Sequence, residues 1–103
     1  MQIYHITDRS SWLAEKMGSH YKGDTLESDG FIHCCMSEQV TFVLENWFKG
    51  VKDLVMLVID TDKLTSPVKY ENLEGGDELF PHIYGSINLD AVINDTKLVD
   101  EQN

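Results

Sequence analysis

The sequence predicts an α+β domain, on three observations. Two helical segments lie early, most strand-like segments lie late, and one apolar run, Leu54-Val55-Met56-Leu57-Val58-Ile59, has no polar face and marks a buried central strand. At 103 residues the chain makes one domain, 1–103, with room for a single core.

Residues 2 to 6 read as a first short strand. Thr7 or Asp8 can cap a helix to Met17, with Trp12, Leu13 and Met17 facing inward and Gly18 ending it. The stretch from Ser19 to Asp29 is polar and turn-rich, anchored by Tyr21 and Leu26. Gly30 to Cys35 form a second strand. Ser37 caps the second helix, whose Val40, Val43, Leu44, Trp47 and Phe48 follow the i, i+3, i+4, i+7, i+8 pattern, and Gly50 sits at its left-handed C-terminal position. After the central strand, Asp62-Lys63-Leu64 make a turn and Val68 to Glu71 alternate as a strand. Asn72 to Glu78 form an acidic loop. Leu79 to Tyr84 are strand, with Pro81 placing them at an edge or bulge. Leu89 to Val99 hold a last strand, and Asp100 to Asn103 a frayed tail.

Composition narrows the function. Lys plus Arg total 8 against 18 Asp plus Glu, a formal net charge of −10, and the basic residues are scattered with no two adjacent. A nucleic-acid polyanion is repelled by such a surface, so a nucleic-acid partner is not expected and a small-molecule ligand is. Nothing approaches the ~20 apolar residues of a membrane span, and Met1-Gln2-Ile3-Tyr4-His5 shows no basic head followed by an apolar run, so the expected location is the cytoplasm with no membrane partner. Cys34 and Cys35 are adjacent, a spacing unsuited to a bridge or to a zinc knuckle, and read as small buried hydrophobes on opposite strand faces.

Three of the four histidines sit in short apolar words: Tyr4-His5-Ile6-Thr7, Gly30-Phe31-Ile32-His33-Cys34 and Phe80-Pro81-His82-Ile83-Tyr84-Gly85. A desolvated imidazole needs a partner or a task, and three of them predict separate strands converging on one cleft. His5 and Thr7 can bond a sugar or an amide at a helix start. His33 ends a strand just ahead of a helix. His82 and Tyr84, two residues apart, share a strand face. Glu71 is the carboxylate best placed on an ordered strand to orient an imidazole or stabilise a developing cation, with Glu78 at a loop end. The plainer readings are core histidines bonded to carbonyls and solvated carboxylates. Gaps of 28 and 49 residues between the three histidines give no support to a metal site, and none is expected. His20 reads as surface.

These words, with Trp12, Gln39, Asp53-Leu54-Val55 and Val68-Lys69-Tyr70-Glu71, resemble the domain-of-unknown-function family 952 over nearly the whole chain. The resemblance implies a fold like that of the ADP-ribosyltransferases, a split β-sheet clamp with two main helices that holds NAD. Tyr4-His5-Ile6-Thr7 is similar to that group's Tyr-His-Gly-Thr strand, whose histidine contacts the nicotinamide-side ribose and whose next backbone grips the carboxamide. Ile32-His33-Cys34-Cys35 is similar to the Val-His-Leu-Ser word of RNA 2′-phosphotransferases. By this likeness His5 binds the ribose, His33 lines the cleft and Tyr84 stacks on a ring. With the reading of the residues themselves, His33 and Glu71 are the catalytic candidates, and His5, Thr7, His82 and Tyr84 the ligand-binding ones. The activity implied is a transferase or glycohydrolase acting at the ribose C1 of NAD as substrate. Departures are Ile6 in place of glycine, Cys35 in place of serine, no obvious late catalytic glutamate, and Arg9 as the only arginine. The alternative is a non-catalytic module binding a small ligand or a metal in the same histidine-lined cleft.

Overall fold

Two three-stranded antiparallel sheets carry the chain, joined edge to edge by a single pair of residues. A computed structural model describes residues 1–72 and 76–98. The expected tail at 100–103 and the centre of the acidic loop lie outside them. The first sheet has the order β1 (Gln2–Asp8), β4 (Leu54–Asp60), β8 (Val92–Lys97). The second has the order β3 (Ile32–His33), β6 (Phe80–Ile83), β5 (Val68–Glu71). A third ladder pairs β2 (His20–Tyr21) with β7 (Ile87–Asn88). Three helices, α1 (Arg9–Lys16), α2 (Leu26–Asp29) and α3 (Val40–Trp47), complete an α+β domain.

The apolar run 54–59 lies at the centre of its sheet, as its two-sided hydrophobicity requires. Its inward residues Val55, Leu57 and Ile59 join Ile3, Trp12, Tyr21, Ile32, Ile83 and Ile87 in the main core. A second cluster, with Ile6, Cys35, Val43, Leu54 and Phe80, packs under α3. Cys34 belongs to the first cluster and Cys35 to the second, so adjacent thiols do point to opposite faces. Burial pushes Cys34 well above the ordinary thiol value and Cys35 up to about 12.

Of the two caps the sequence offers for α1, Asp8 is the one used, its carboxylate accepting from the Ser11 N–H at 3.0 Å. Three expectations need correction. Only Trp12 of α1 is buried; Leu13 is 45 % and Met17 92 % exposed, because α1 rests on the fold by one narrow stripe. Ser37 opens a 3-10 turn (Ser37–Gln39) instead of capping α3, and the side chain of buried Gln39 reaches back to accept from the Met36 N–H at 2.8 Å. Gly50, with φ +79°, is left-handed just beyond α3 as expected.

Pro81 is the third. It lies in β6, the middle strand of its sheet, where a missing N–H ordinarily breaks a ladder. Because His33 faces His82, Cys34 faces Pro81, and the Cys34 N–H donates to the Pro81 carbonyl at 3.1 Å. The reciprocal bond cannot form without a proline N–H, so the β3–β6 ladder stops there. One residue on, Cys35 exchanges both main-chain bonds with Tyr4 of β1, at 2.8 and 2.9 Å. Pro81 thus fixes the point at which the chain leaves one sheet for the other.

Candidate functional site

The split between the two sheets opens a cleft of about 460 Å³. One wall is apolar: Ile6 from β1, with Val43, Trp47, Phe48, Val51 and Leu54 supplied by α3, the turn after it and the start of β4. The amphipathic stripe of α3 that seals the second core cluster also gives this wall, with Trp47 at its solvent edge. The other wall is polar, with His5, Thr7, Asp8, Asp24, Thr25 and His33.

Along β1, backbone polar groups alternate sides. Tyr4 turns both of its groups to Cys35, so Ile6, two residues on, turns its N–H and C=O the same way, past the end of the bridge and toward the cleft. His5 and Thr7 turn theirs to β4.

The His5 side chain is held at both nitrogens. Nδ1 lies 2.7 Å from the His33 carbonyl and Nε2 lies 3.0 Å from the Tyr21 hydroxyl. A carbonyl only accepts, so Nδ1 carries the proton. Burial holds the His5 pKa below its ordinary value, which makes the ring neutral and Nε2 an acceptor. The Tyr21 hydroxyl therefore donates to Nε2 and accepts from the Thr7 hydroxyl. Burial raises the Tyr21 pKa to about 12, so its proton stays in place.

His33 sits at the cleft edge. Its Nε2–H donates to Asp29 Oδ2 at 2.9 Å, and that bond holds the Asp29 carboxyl below its ordinary pKa. On the far side of His33 a second group of side chains gathers. His82, 2 % exposed, stacks on Phe31 at 4.1 Å and meets the edge of the His33 ring at 5.5 Å. The Tyr84 hydroxyl and His82 Nδ1–H donate to one oxygen of Glu71, at 2.6 and 2.9 Å. These bonds, the tyrosine's first, hold Glu71 below the usual carboxylate range and raise Tyr84. Lys69 lies 4.8 Å over the Tyr84 ring.

The three histidine words are therefore neighbours: the His5 ring bonds the His33 carbonyl, and the His33 ring meets that of His82. They do not all face one hollow. His5, Thr7 and His33 line the cleft, whereas His82, Tyr84 and Glu71 do not, since Phe31 and His33 lie between. Glu78 is a partner of Gln39, accepting from its Nε2 at 2.9 Å. Among the described residues, no three His, Cys, Asp or Glu side chains converge as a metal site would require. His20 is exposed, beside Ser19. Tyr21, Thr25, Asp29 and Phe31 hold or shape the site without having been predicted to. Tyr21 left a sequence signal as an aromatic inside a polar stretch, and Phe31 as part of the word around His33.

The sequence profile of the family described as Protein of unknown function (DUF952) matches residues 6–95. Protein CC0527 from Caulobacter crescentus is similar in structure. Its crystal structure superposes with a TM-score of 0.85 at 31% identity, covering 96% of this chain and 87% of that one. Its solution NMR structure gives 0.80 at 31% identity, covering 97% and 88%. No curated protein matches the chain.

Proposed function

This chain belongs to the DUF952 family, and from that premise we propose that its cleft is a small-ligand site that takes the nicotinamide-ribose end of NAD or a related nucleoside. The observation that carries this reading is the pairing of an aromatic and aliphatic wall with a free main-chain N–H and C=O at Ile6. An N–H beside a C=O is the complement of a primary carboxamide, which accepts from one and donates to the other. Trp47 and Phe48 can give a flat ring a face, and Asp24 and Thr25 line the opposite wall with oxygens able to accept from ribose hydroxyls. Two sheets parted beside Tyr4–Cys35 support the likeness to an ADP-ribosyltransferase clamp.

Binding ranks ahead of ribosyl transfer. A C1 transfer needs a carboxylate against the sugar to stabilise the developing cation; Glu71, the catalytic candidate of the sequence, does not line the cleft, where the carboxylates are Asp24 and the helix-capping Asp8. What favours catalysis is the His82–Glu71–Tyr84 group, which keeps Glu71 ionised and ordered behind His33.

A thermal-shift titration with NAD and with nicotinamide riboside tests the reading. Both should raise Tm, and Thr7→Val and Trp47→Ala should remove the shift. No shift with either compound refutes it. Nicotinamide release from NAD that is lost in Glu71→Gln would move the assignment from binding to catalysis.

A further inference from the structure

We infer that the cleft is polarised to receive hydrogen-bond donors and positive charge, so that it selects a cationic or neutral donor-rich ligand and rejects an anion. This rests on the reading that the cleft is a ligand site and adds what that ligand must be.

Thr25 donates its hydroxyl proton to the Phe31 carbonyl at 3.0 Å, which leaves only oxygen lone pairs for a ligand. Thr7 donates to Tyr21, Tyr21 to His5, and His5 to the His33 carbonyl. The buried histidine fixes the direction of that series, and at its open end Thr7 again offers lone pairs. Asp29 takes the His33 Nε2–H, so that nitrogen is not offered to a ligand. Asp8 and Asp24 are carboxylates, and neither lysine nor arginine lines the cleft. Ile6 supplies a donor there, as a neutral amide.

An anion entering this space meets lone pairs and two negative charges. A positively charged ring meets its complement, with Trp47 and Phe48 adding their electron-rich faces. By the same logic a phosphate group has no partner on this wall and must stay outside it. A carboxylate about 6 Å from a ligand charge, half screened by water, changes affinity roughly tenfold for each unit of that charge.

Three probes share one ring and differ in charge: N1-methylnicotinamide is a cation, nicotinamide is neutral, and nicotinate is an anion. The test titrates the full-length, 15N-labelled protein with each and follows the amide resonances of Thr7, Thr25 and His33. The expected order of affinity is cation, neutral, anion, with about tenfold per step. Asp24→Asn should narrow the cation's advantage severalfold. Nicotinate binding as tightly as the cation would overturn the polarity while leaving the cleft a ligand site. No response to any of the three would overturn the ligand site, and the polarity with it.

Discussion

Removing one oxygen atom, in Tyr21→Phe, tests the bonding around His5. The Tyr21 side chain is fully buried, and its ring packs edge-on against Trp12 at 5.7 Å, a contact that phenylalanine keeps. The change opens no large cavity. What it removes is the donor to His5 Nε2 and the acceptor for Thr7. Thr7 borders the cleft and can turn to water, but His5 Nε2 becomes a buried acceptor without a partner, a loss of about 1–3 kcal/mol. For a domain of this length that lowers Tm by roughly 5–20 °C. Urea unfolding at pH 7.5 gives the free energy, and calorimetry gives Tm. A second variant isolates the cause: in a His5→Phe background the hydroxyl has already lost its acceptor, so Tyr21→Phe should cost at least about 1 kcal/mol less. A loss under about 0.5 kcal/mol, or equal losses in the two backgrounds, would refute the bonding scheme.

Stability should fall on both sides of neutrality, with separate causes. The folded His5 pKa is depressed, so the unfolded chain binds a proton first as pH drops through the ordinary histidine value of 6.5, and stability declines from there down to the folded value. Tyr21 is raised from 10.0 to about 12, so its contribution is whole below pH 10 and is lost as pH climbs to about 12. Tyr21→Phe should remove the Tyr21 share of the alkaline decline and leave the share due to the buried thiols Cys34 and Cys35, and an unchanged alkaline limb would contradict the assignment. Gly85→Ala should destabilise by about 1–3 kcal/mol: its φ is +152°, and an added Cβ would sit 2.9 Å from the Ser66 Cβ and meet its hydroxyl, which donates to the Ser86 carbonyl. Ser66→Gly should recover part of that loss, and full tolerance of alanine would count against the close approach. Both thiols should resist a disulfide reagent at pH 8 in the folded protein and react fast in guanidinium, since burial raises both pKa values. Rapid native labelling would sink that account.

Local pattern carried the elements; partner identity was not local. The stripe from Val40 to Phe48 and the run 54–59 each announce a helix face or a buried strand within one window, and both appear where that pattern puts them. Leu13 and Met17 fit an amphipathic spacing equally well yet face water, since no second layer covers that side of α1. The shared face of His82 and Tyr84 follows from alternation, but the carboxylate that both of them bond lies on a neighbouring strand, set by register. His5 shows the same limit: its partner Tyr21 sits in a two-residue strand inside a polar stretch. Pro81 misled for a specific reason. A proline is tolerated mid-sheet when the lost N–H falls where one neighbour's ladder ends, a condition that depends on where β3 stops.

The position of β4 bears on how this chain acquires its structure in time. Its two neighbours come from opposite ends of the described residues, Gln2–Asp8 and Val92–Lys97. Uniting them closes loops of roughly fifty and forty residues, an entropic toll met before either contact gives anything back. Such non-local pairing belongs with the slower two-state folders, on roughly the millisecond-to-second scale. During synthesis the first strand would wait, unmatched, until more than half the polypeptide had left the ribosome, and β4 would keep a bare edge until residues 92–97 followed.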